Sequence, residues 1–227
     1  MSPQDSVRRR LLDEAARVLA DEGPAALSAR RLVRAVGAST MAVYTHFGSM
    51  PALVREVIRE GFERFMARTD LVRPTDDPVA DLYAVCRVYQ EFARAEPNVY
   101  AVMFGGSQLA GFELADEDRE MGTFMLRVPH GVIRRCTAVG RFRDGDASLR
   151  AWQLWCQMHG LAQLERAGYF TGPRTPDETL LALVRDFAIG QGDRVEAASA
   201  SAAASTSPAA PAATSAAPAS APVTNLP

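Results

Sequence analysis

The sequence contains no lysine, and all 25 of its basic residues are arginine. We attribute this mainly to a compositional bias of the genome, although arginine also suits bidentate contacts with phosphate. Cysteine is scarce as well: Cys86, Cys136 and Cys156 are widely spaced and form no CxxC pair. Their number and spacing argue against a disulfide framework and favour a reducing, cytoplasmic environment.

Long apolar runs and common catalytic motifs are also absent. No stretch reaches the length of a membrane span, and acidic residues stand where a signal peptide needs an apolar core. There is no G-x-S-x-G, G-x-G-x-x-G, P-loop or H-E-x-x-H motif, so neither an enzyme nor a cofactor is predicted. Cys156 and His159 share a predicted helix, but two ligands do not make a zinc site and no metal is expected.

The charge that is present is unevenly distributed. Residues 1–48 carry seven arginines against five acidic residues, a net charge of +2. The whole chain of 227 residues carries −2, so the remainder carries −4. This asymmetry is typical of a small head that meets phosphate and a larger body that does not.

Apolar residues recur at helical spacing along most of the chain, and no segment alternates with period two. The predicted fold class is therefore all-α. The predicted helices cover residues 5–22, 28–47 as two short helices, 49–68, 79–96, a short one after Pro97, 117–139, 147–167 and 176–190. Pro129 predicts either a kink or two helices within 117–139.

The last part of the chain differs in composition. Residues 197–227 contain no charged and no aromatic residue, and repeated prolines interrupt any alanine helix. Such a segment buries too little apolar surface to offset the entropy of ordering it, so it is predicted to be a disordered tail. The predicted organisation is thus a head at 1–48, a body at 49–196 and this tail.

The most informative stretch is residues 28–47, which read SARRLVRAVGASTMAVYTHF. Leu32, Val33 and Val36 form an apolar stripe at helical spacing. Ser28 precedes them and is suited to cap the N-terminus of a helix. The pattern predicts a first short helix.

A second short helix is predicted after Gly37, which favours the left-handed conformation that ends a helix. Val43 and Phe47 repeat at i, i+4 and face inward. The outward face is left with Ser39, Thr40, Met41, Tyr44, Thr45 and His46. Two short helices joined by a tight turn form a helix-turn-helix, whose second helix fits the major groove of DNA.

The run GASTMAVYTHF, from Gly37 to Phe47, resembles the recognition-helix signature of TetR-type transcriptional regulators. The resemblance extends from about Asp5 through Leu53. It implies an all-helical homodimer with an N-terminal DNA-binding domain and a ligand-binding, dimerising body. A second run, WQLWCQMHG from Trp152 to Gly160, is similar to the Trp-His-Gly signature of one C-terminal subgroup, although Met158 stands before His159.

The resemblance also places individual side chains on DNA. The predicted DNA-binding residues are Arg30, Ser39, Thr40, Met41, Tyr44, Thr45 and His46. Thr40, Met41 and Thr45 match positions that reach base edges, and all others except Ser39 match phosphate contacts. The family usually has a lysine where Met50 stands, so here the backbone amides of the next helix would have to hold that phosphate.

In the body, the resemblance implies an apolar cavity for an effector. The candidate ligand-contacting residues are Tyr89, Phe92, Phe104, Phe124, His130, Trp152, Trp155 and His159. Aromatic residues at helical spacing are equally consistent with an ordinary core, and either histidine with a hydrogen-bonded core position.

These observations predict a homodimeric repressor that binds a palindromic DNA operator and is released by a small, apolar effector. The resemblance assigns dimerisation to the last two long helices, with Leu180, Val184 and Phe187 at the interface. Two alternatives remain: an activator or thiol-based redox sensor on the same fold, and an enzyme or small-molecule carrier with a vestigial head.

Overall fold

The structure is a computed structural model that describes residues 3–104 and 116–206. Within these residues it consists of α-helices and one 3₁₀ turn, and no strand is present there, which confirms the all-α prediction. The helices are α1 (Pro3–Glu22), α2 (Ala29–Val36), α3 (Thr40–Phe47), α4 (Met50–Thr69), α5 (Pro78–Ala95), α6 (Pro97–Phe104), α7 (Asp116–Phe124), α8 (Arg127–Ala138), α9 (Ala147–Arg166), α10 (Pro176–Gly190) and α11 (Val195–Thr206).

The predicted helix at 117–139 is divided into α7 and α8 rather than kinked. The break falls at Met125 and Leu126, so Pro129 lies in the first turn of α8. A proline is tolerated there because its missing N–H has no partner within the helix. The interruption was thus predicted at Pro129 and lies just before it, as two helices, which is one of the two predicted forms.

The C-terminal end corrects one prediction. Residues 197–206 belong to the predicted disordered tail, but they are helical and form most of α11. The prolines that interrupt a helix begin only at Pro208, and the segment before it is rich in alanine, the best helix former. The boundary at 196 is therefore wrong for this segment. Residues 207–227 lie outside the described part of the chain.

Helix α11 packs on α5 and α10 through small side chains. Ala198 and Ser201 are buried, and the hydroxyl of Ser201 donates to Asp77 Oδ2 over 2.6 Å. Arg141 also binds Ser201, since its Nη2 donates to Ser201 Oγ at 3.1 Å. The Nε and Nη2 atoms of Arg141 in addition donate to the two carboxylate oxygens of Asp193 at 2.6 Å each. The helix is thus an integral part of the body.

Helix α6 lies between the N-terminal helices and the rest of the body. It packs against both α1 and α4, and a single continuous apolar core joins these helices to α5 and α9. Gly61 makes room for it: a Cβ atom at that position would lie 2.7 Å from Met103 Sδ and 2.8 Å from Val99 Cγ1. The head and the body are therefore in direct contact through α6.

No helix in residues 3–104 or 116–206 combines the length and the apolar character that crossing a membrane requires. The division into head and body at residue 48 stays a prediction, since the core runs without interruption across it.

Candidate nucleic-acid interface and effector site

The first helix of the candidate interface is α2. Its N-terminus is capped by Ser28, whose hydroxyl oxygen accepts a hydrogen bond from the Arg31 amide at 3.4 Å. Leu32, Val33 and Val36 are buried, as their spacing predicted. Gly37 ends the helix with φ 67° and ψ 41°, a left-handed conformation that glycine adopts without steric cost.

The second helix is α3, which is only eight residues long and is held to the core by few side chains. Val43 is fully buried and Phe47 partly so, which confirms the inward face. Gly48 closes the helix with φ 75°, and its N–H donates to the Tyr44 carbonyl. The next helix begins at once: Ser49 Oγ accepts from the Ala52 amide at 3.2 Å. The backbone amides at this start of α4 are predicted to hold the DNA phosphate that a lysine at position 50 usually holds in the family.

The structure places six of the seven predicted DNA-binding side chains on the surface. They are Arg30, Ser39, Thr40, Met41, Tyr44 and Thr45. Met41 is 69% exposed to solvent and Tyr44 is 51% exposed. His46 is partly buried, with its ring centroid 6.0 Å from that of Phe47. Six of the seven side chains are thus accessible on α2, on α3 and at the turn between them, while their contacts with DNA stay predictions.

The charges around α3 favour an anionic partner. No acidic residue lies between Glu22 and Glu56, a stretch that contains all of α2 and α3. Arg31 is engaged by Glu22 at 2.8 Å, whereas Arg30 and Arg34 are exposed on α2. Positive charge therefore flanks a helix that carries no acidic residue, as a phosphate-facing surface requires.

The arginines at the start of the chain have a different position. Arg8 pairs with Glu56 and with Glu60 (3.4 Å) of α4, and Arg9 lies 3.4 Å from Glu60. Arg8 also lies over the Phe47 ring, 5.7 Å from its centroid. These contacts hold α1 against α4 and α3, so this arginine pair orients the helix-turn-helix within the chain.

In the body, four polar aromatic side chains form one hydrogen-bonded cluster, which we call the Tyr–His cluster: Tyr89, Tyr100, Trp155 and His159. The Tyr100 hydroxyl lies 2.8 Å from His159 Nδ1, and the Tyr89 hydroxyl lies 3.1 Å from both. Trp155 Nε1 donates to the Tyr89 hydroxyl at 3.2 Å. Three helices, α5, α6 and α9, supply these residues.

Burial keeps the Tyr–His cluster uncharged. It raises the pKa of Tyr100 to about 12 and that of Tyr89 well above its ordinary value, and it lowers the pKa of His159. Trp155 Nε1 can only donate, and it donates to the Tyr89 hydroxyl; the direction of the bonds among Tyr89, Tyr100 and His159 Nδ1 is set by which ring nitrogen of His159 carries the proton.

An apolar cavity of about 40 Å³ adjoins the Tyr–His cluster. It is lined by Phe65, Val85, Cys86, Tyr89, Met125, Leu126, Pro129, Leu154, Trp155 and Met158. No charged side chain is among them, so the cavity suits an uncharged group. Its volume is small, but methionines are flexible and can adapt to a larger occupant.

The predicted ligand residues divide into two groups. Tyr89, Phe104, Trp155 and His159 meet, with the Phe104 ring centroid 5.1 Å from that of His159. Of the other four, Trp152 is 41% exposed and its ring centroid lies 5.1 Å from that of Trp155. Phe92 packs on Phe65, Phe124 is 55% exposed, and His130 is half-buried in α8.

Sequence reasoning left some cavity residues out of the predicted set. Tyr100 completes the Tyr–His cluster, and Met125 and Met158 line the cavity. Tyr100 follows Pro97 in a short apolar helix, where its periodicity is that of any core residue. No local signal distinguished it.

The predicted dimer stripe requires a correction. Leu180, Val184 and Phe187 are buried in the core of their own chain, so they cannot meet a partner without unpacking α10. Phe187 contacts Phe142, at 6.3 Å between ring centroids. Their apolar spacing correctly predicted that they are buried, but they are buried by their own chain and not by a partner subunit.

A different face of α9 is open. Leu149, Trp152, Cys156 and Leu164 are exposed and follow one another at intervals of three, four and eight residues. This spacing places them on one side of the helix. The opposite side, with Leu154 and other residues, is buried in the core.

The three cysteines also differ in their burial. Cys86 and Cys136 are buried, and burial raises the pKa of each thiol to about 12, so both are protonated and inert. Cys156, by contrast, is exposed on α9.

Residues 11–57 match the sequence family described as bacterial regulatory proteins, tetR family. Residues 82–187 match the domain described as tetracyclin repressor-like, C-terminal domain. That description names no Trp-His-Gly subgroup, so this finer assignment stays a prediction. A search of curated proteins returned no match.

Solved structures resemble this chain over most of its length. A protein of unknown function from Rhodococcus sp. RHA1 is 28% identical, with a TM-score of 0.70 over 82% of this chain and 96% of that one. A TetR-family transcriptional regulator, PfmR from Thermus thermophilus, is 22% identical, with a TM-score of 0.64 over 82% and 100%. A tetR-family regulatory protein from Rhodococcus RHA1 is 18% identical, with a TM-score of 0.67 over 86% and 100%.

Proposed function

Because this chain belongs to the TetR family of bacterial regulatory proteins, we propose that it is a cytoplasmic, homodimeric transcriptional repressor that leaves its operator when a small, uncharged effector binds the body. The observation that carries the proposal is the exposed face of α3. It presents small polar and apolar side chains, it is flanked by exposed Arg30 and Arg34, and no acidic residue interrupts the surrounding sequence. A helix of this kind fits the major groove while its neighbours hold the phosphates.

A palindromic operator follows from a two-fold symmetric protein. The dimer we propose uses the exposed stripe of α9, not the buried stripe of α10. Leu149, Trp152 and Leu164 offer apolar surface that a monomer leaves in water. In a four-helix interface with α10 and their symmetry mates, these side chains become buried.

The dimer is tested by sedimentation velocity of Leu149→Arg and Trp152→Arg. Both changes place a charge on the proposed interface, so we expect monomers of unchanged helical content. Val139→Arg is the control, because Val139 is equally exposed but lies at the end of α8. Dimers of unaltered affinity in both α9 variants would exclude this interface.

The effector site we propose is the cavity beside the Tyr–His cluster. Tyr100 and Phe104 belong to α6 and contact His159, while Val99 and Met103 of the same helix meet α4 at Gly61. A ligand that displaces α6 should therefore also displace α4, the helix that directly follows the recognition helix α3. Release requires only that the effector binds the displaced arrangement more tightly than the DNA-competent one.

Operator binding is the experiment that tests this function. Fluorescence anisotropy with DNA from the promoter region of its own gene should show tight binding whose logarithm falls linearly with the logarithm of salt concentration. A promoter–reporter fusion should be less active when the protein is present. Salt-independent or absent binding would contradict the DNA-binding proposal, and higher reporter activity would indicate an activator.

A further inference from the structure

The recognition helix lacks the side chains that usually read bases by hydrogen bonding. Bidentate contacts to base edges come from Arg or Lys on guanine and from Asn or Gln on adenine, and Glu or Asp accepts from cytosine. Helix α3 reads TMAVYTHF and contains none of these six residue types. The contacts that these six residue types make therefore cannot supply the sequence preference of this helix.

The exposed side chains of α3 are rich in methyl groups. Met41 is the most exposed large apolar residue of the helix-turn-helix, at 69%, so its flexible thioether side chain is available for an apolar contact. Thr45 lies four residues further on the same face, and Thr40 adjoins Met41. A threonine hydroxyl bonds to any base, whereas apolar groups distinguish one feature of the major groove, the C5-methyl group of thymine.

The neighbouring helix makes this division of labour feasible. Arg30 and Arg34 are exposed on α2 and supply charge for phosphate, and Tyr44 adds a hydroxyl on α3 itself. Phosphate contacts provide affinity and register but no direct sequence information. Met41 and its threonine neighbours are thus left as the residues that discriminate between bases.

We propose that this regulator recognises its operator mainly through thymine C5-methyl groups, which pack against Met41 and the Thr45 methyl group in the major groove. The inference rests on the proposed function, because it requires α3 to enter that groove. It further specifies the ligand class: an operator whose half-sites carry thymine at the positions under Met41.

The test removes single methyl groups from DNA. Operators are first selected from a random duplex pool with the full-length protein. The selected sequence is then synthesised with deoxyuridine in place of thymine, one symmetric pair of positions at a time, which deletes the methyl group and keeps base pairing. Loss of one buried methyl group should weaken binding about fourfold, and loss of a symmetric pair about fifteenfold.

Met41→Ala is the partner variant. It should bind the thymine operator more weakly than the wild type and should no longer distinguish thymine from deoxyuridine at the sensitive pair. Leu71→Ala is the matched control, because Leu71 is an equally exposed apolar residue after α4. This control should retain the full difference between the two operators.

The outcomes separate the inference from the function beneath it. Equal affinity for thymine and deoxyuridine at every position, with tight salt-dependent binding retained, would overturn the methyl readout. That result would still support the proposed function as a DNA-binding regulator. An equal loss of affinity for both operators in Met41→Ala would remove Met41 from that readout. If no sequence is selected from the pool, the proposed function itself fails.

Discussion

The head and the body keep their candidate functional side chains in opposite environments. On α3, Met41 and Tyr44 face water and contribute little to the core. In the body, Tyr89 and Tyr100 are buried and bonded to one another and to His159. Changes to the head should therefore alter binding without altering stability, whereas changes to the body should alter both.

The contrast is the one expected from the ligands that we propose for the two sites. DNA is a rigid, highly charged surface, and a short helix reaches it only if its outer side chains are free. A small uncharged effector has little surface to offer, so its site must enclose it among apolar groups. Four predictions test this difference, from the largest expected effect on stability to the smallest.

The first prediction removes α11 from the body. A chain that ends at Arg194 loses the hydrogen bonds that Ser201 makes with Asp77 and Arg141 and exposes the surface under Ala198. Because hydrogen bonds to charged groups are worth about 1.5–3 kcal/mol each, we expect the free energy of unfolding to fall by about 3 kcal/mol or more. Urea titration followed by circular dichroism measures it.

A chain that ends at Thr206 is the control for that truncation. It keeps α11 and removes only the proline-containing segment that the sequence predicts to be disordered, so its unfolding midpoint should match that of the full chain. Equal stability of the two truncated chains would mean that α11 contributes nothing to the body.

The second prediction concerns the contact between head and body. Gly61→Ala places a methyl group 2.7 Å from Met103 Sδ and 2.8 Å from Val99 Cγ1, and both side chains are buried. Overpacking of this kind costs about 1–3 kcal/mol. Operator affinity should change as well, since α6 is displaced from α4. Thermal unfolding and anisotropy measure the two effects.

Gly131→Ala is the matched glycine control. Gly131 lies in α8, is exposed and has no atom within 4 Å of the added methyl group. Alanine should stabilise this helix by up to about 1 kcal/mol and leave operator affinity unchanged. If Gly61→Ala changed neither stability nor operator affinity, the packing of α6 on α4 would not depend on the absence of a side chain at position 61.

The head could be predicted from the sequence because its determinants are local. Gly37 ends one helix, Val43 and Phe47 anchor the next, and all lie within one short segment. The spacing of such a segment specifies both the fold and the outward face. For this reason the predicted surface residues of α3 are on the surface in the structure, apart from His46, which is partly buried.

The body could be predicted only in part because its site is assembled from distant segments. Periodicity identified Tyr89 and His159 as buried helix residues, but they are 70 positions apart and nothing local states that they meet. The stripe of Leu180 and Val184 shows the same limit, since apolar spacing predicts burial without saying whether the covering surface belongs to the same chain. Tertiary packing decides both questions.

The third prediction is a pH dependence that comes from the body. Burial lowers the pKa of His159 in the folded chain, so the unfolded chain binds that proton more tightly. The stability it contributes is present above the unfolded pKa, near 6.5, and is lost as the pH falls below it. Since the ring is only half buried, the slope should be a fraction of the ~1.4 kcal/mol per pH unit of a full titration.

Urea titrations at pH 7.5 and pH 5.5 measure this effect. His159→Gln cannot titrate and should lose less stability between the two values than the wild type does. An identical loss in wild type and His159→Gln would place the acid sensitivity elsewhere.

The last prediction concerns the head, where the expected change in stability is smallest. Tyr44→Phe and Arg30→Ala alter exposed side chains and should leave the free energy of unfolding within about 0.5 kcal/mol of the wild-type value. Each should nevertheless weaken operator binding, because it removes a donor to phosphate. Loss of the Arg30 charge should also lower the slope of log affinity against log salt by about 0.9, whereas loss of the uncharged Tyr44 hydroxyl should leave that slope unchanged. Arg134→Ala, an exposed arginine of α8, is the control and should keep the wild-type slope. Unchanged operator affinity in both head variants would take these residues off the DNA and remove the contrast between the two sites.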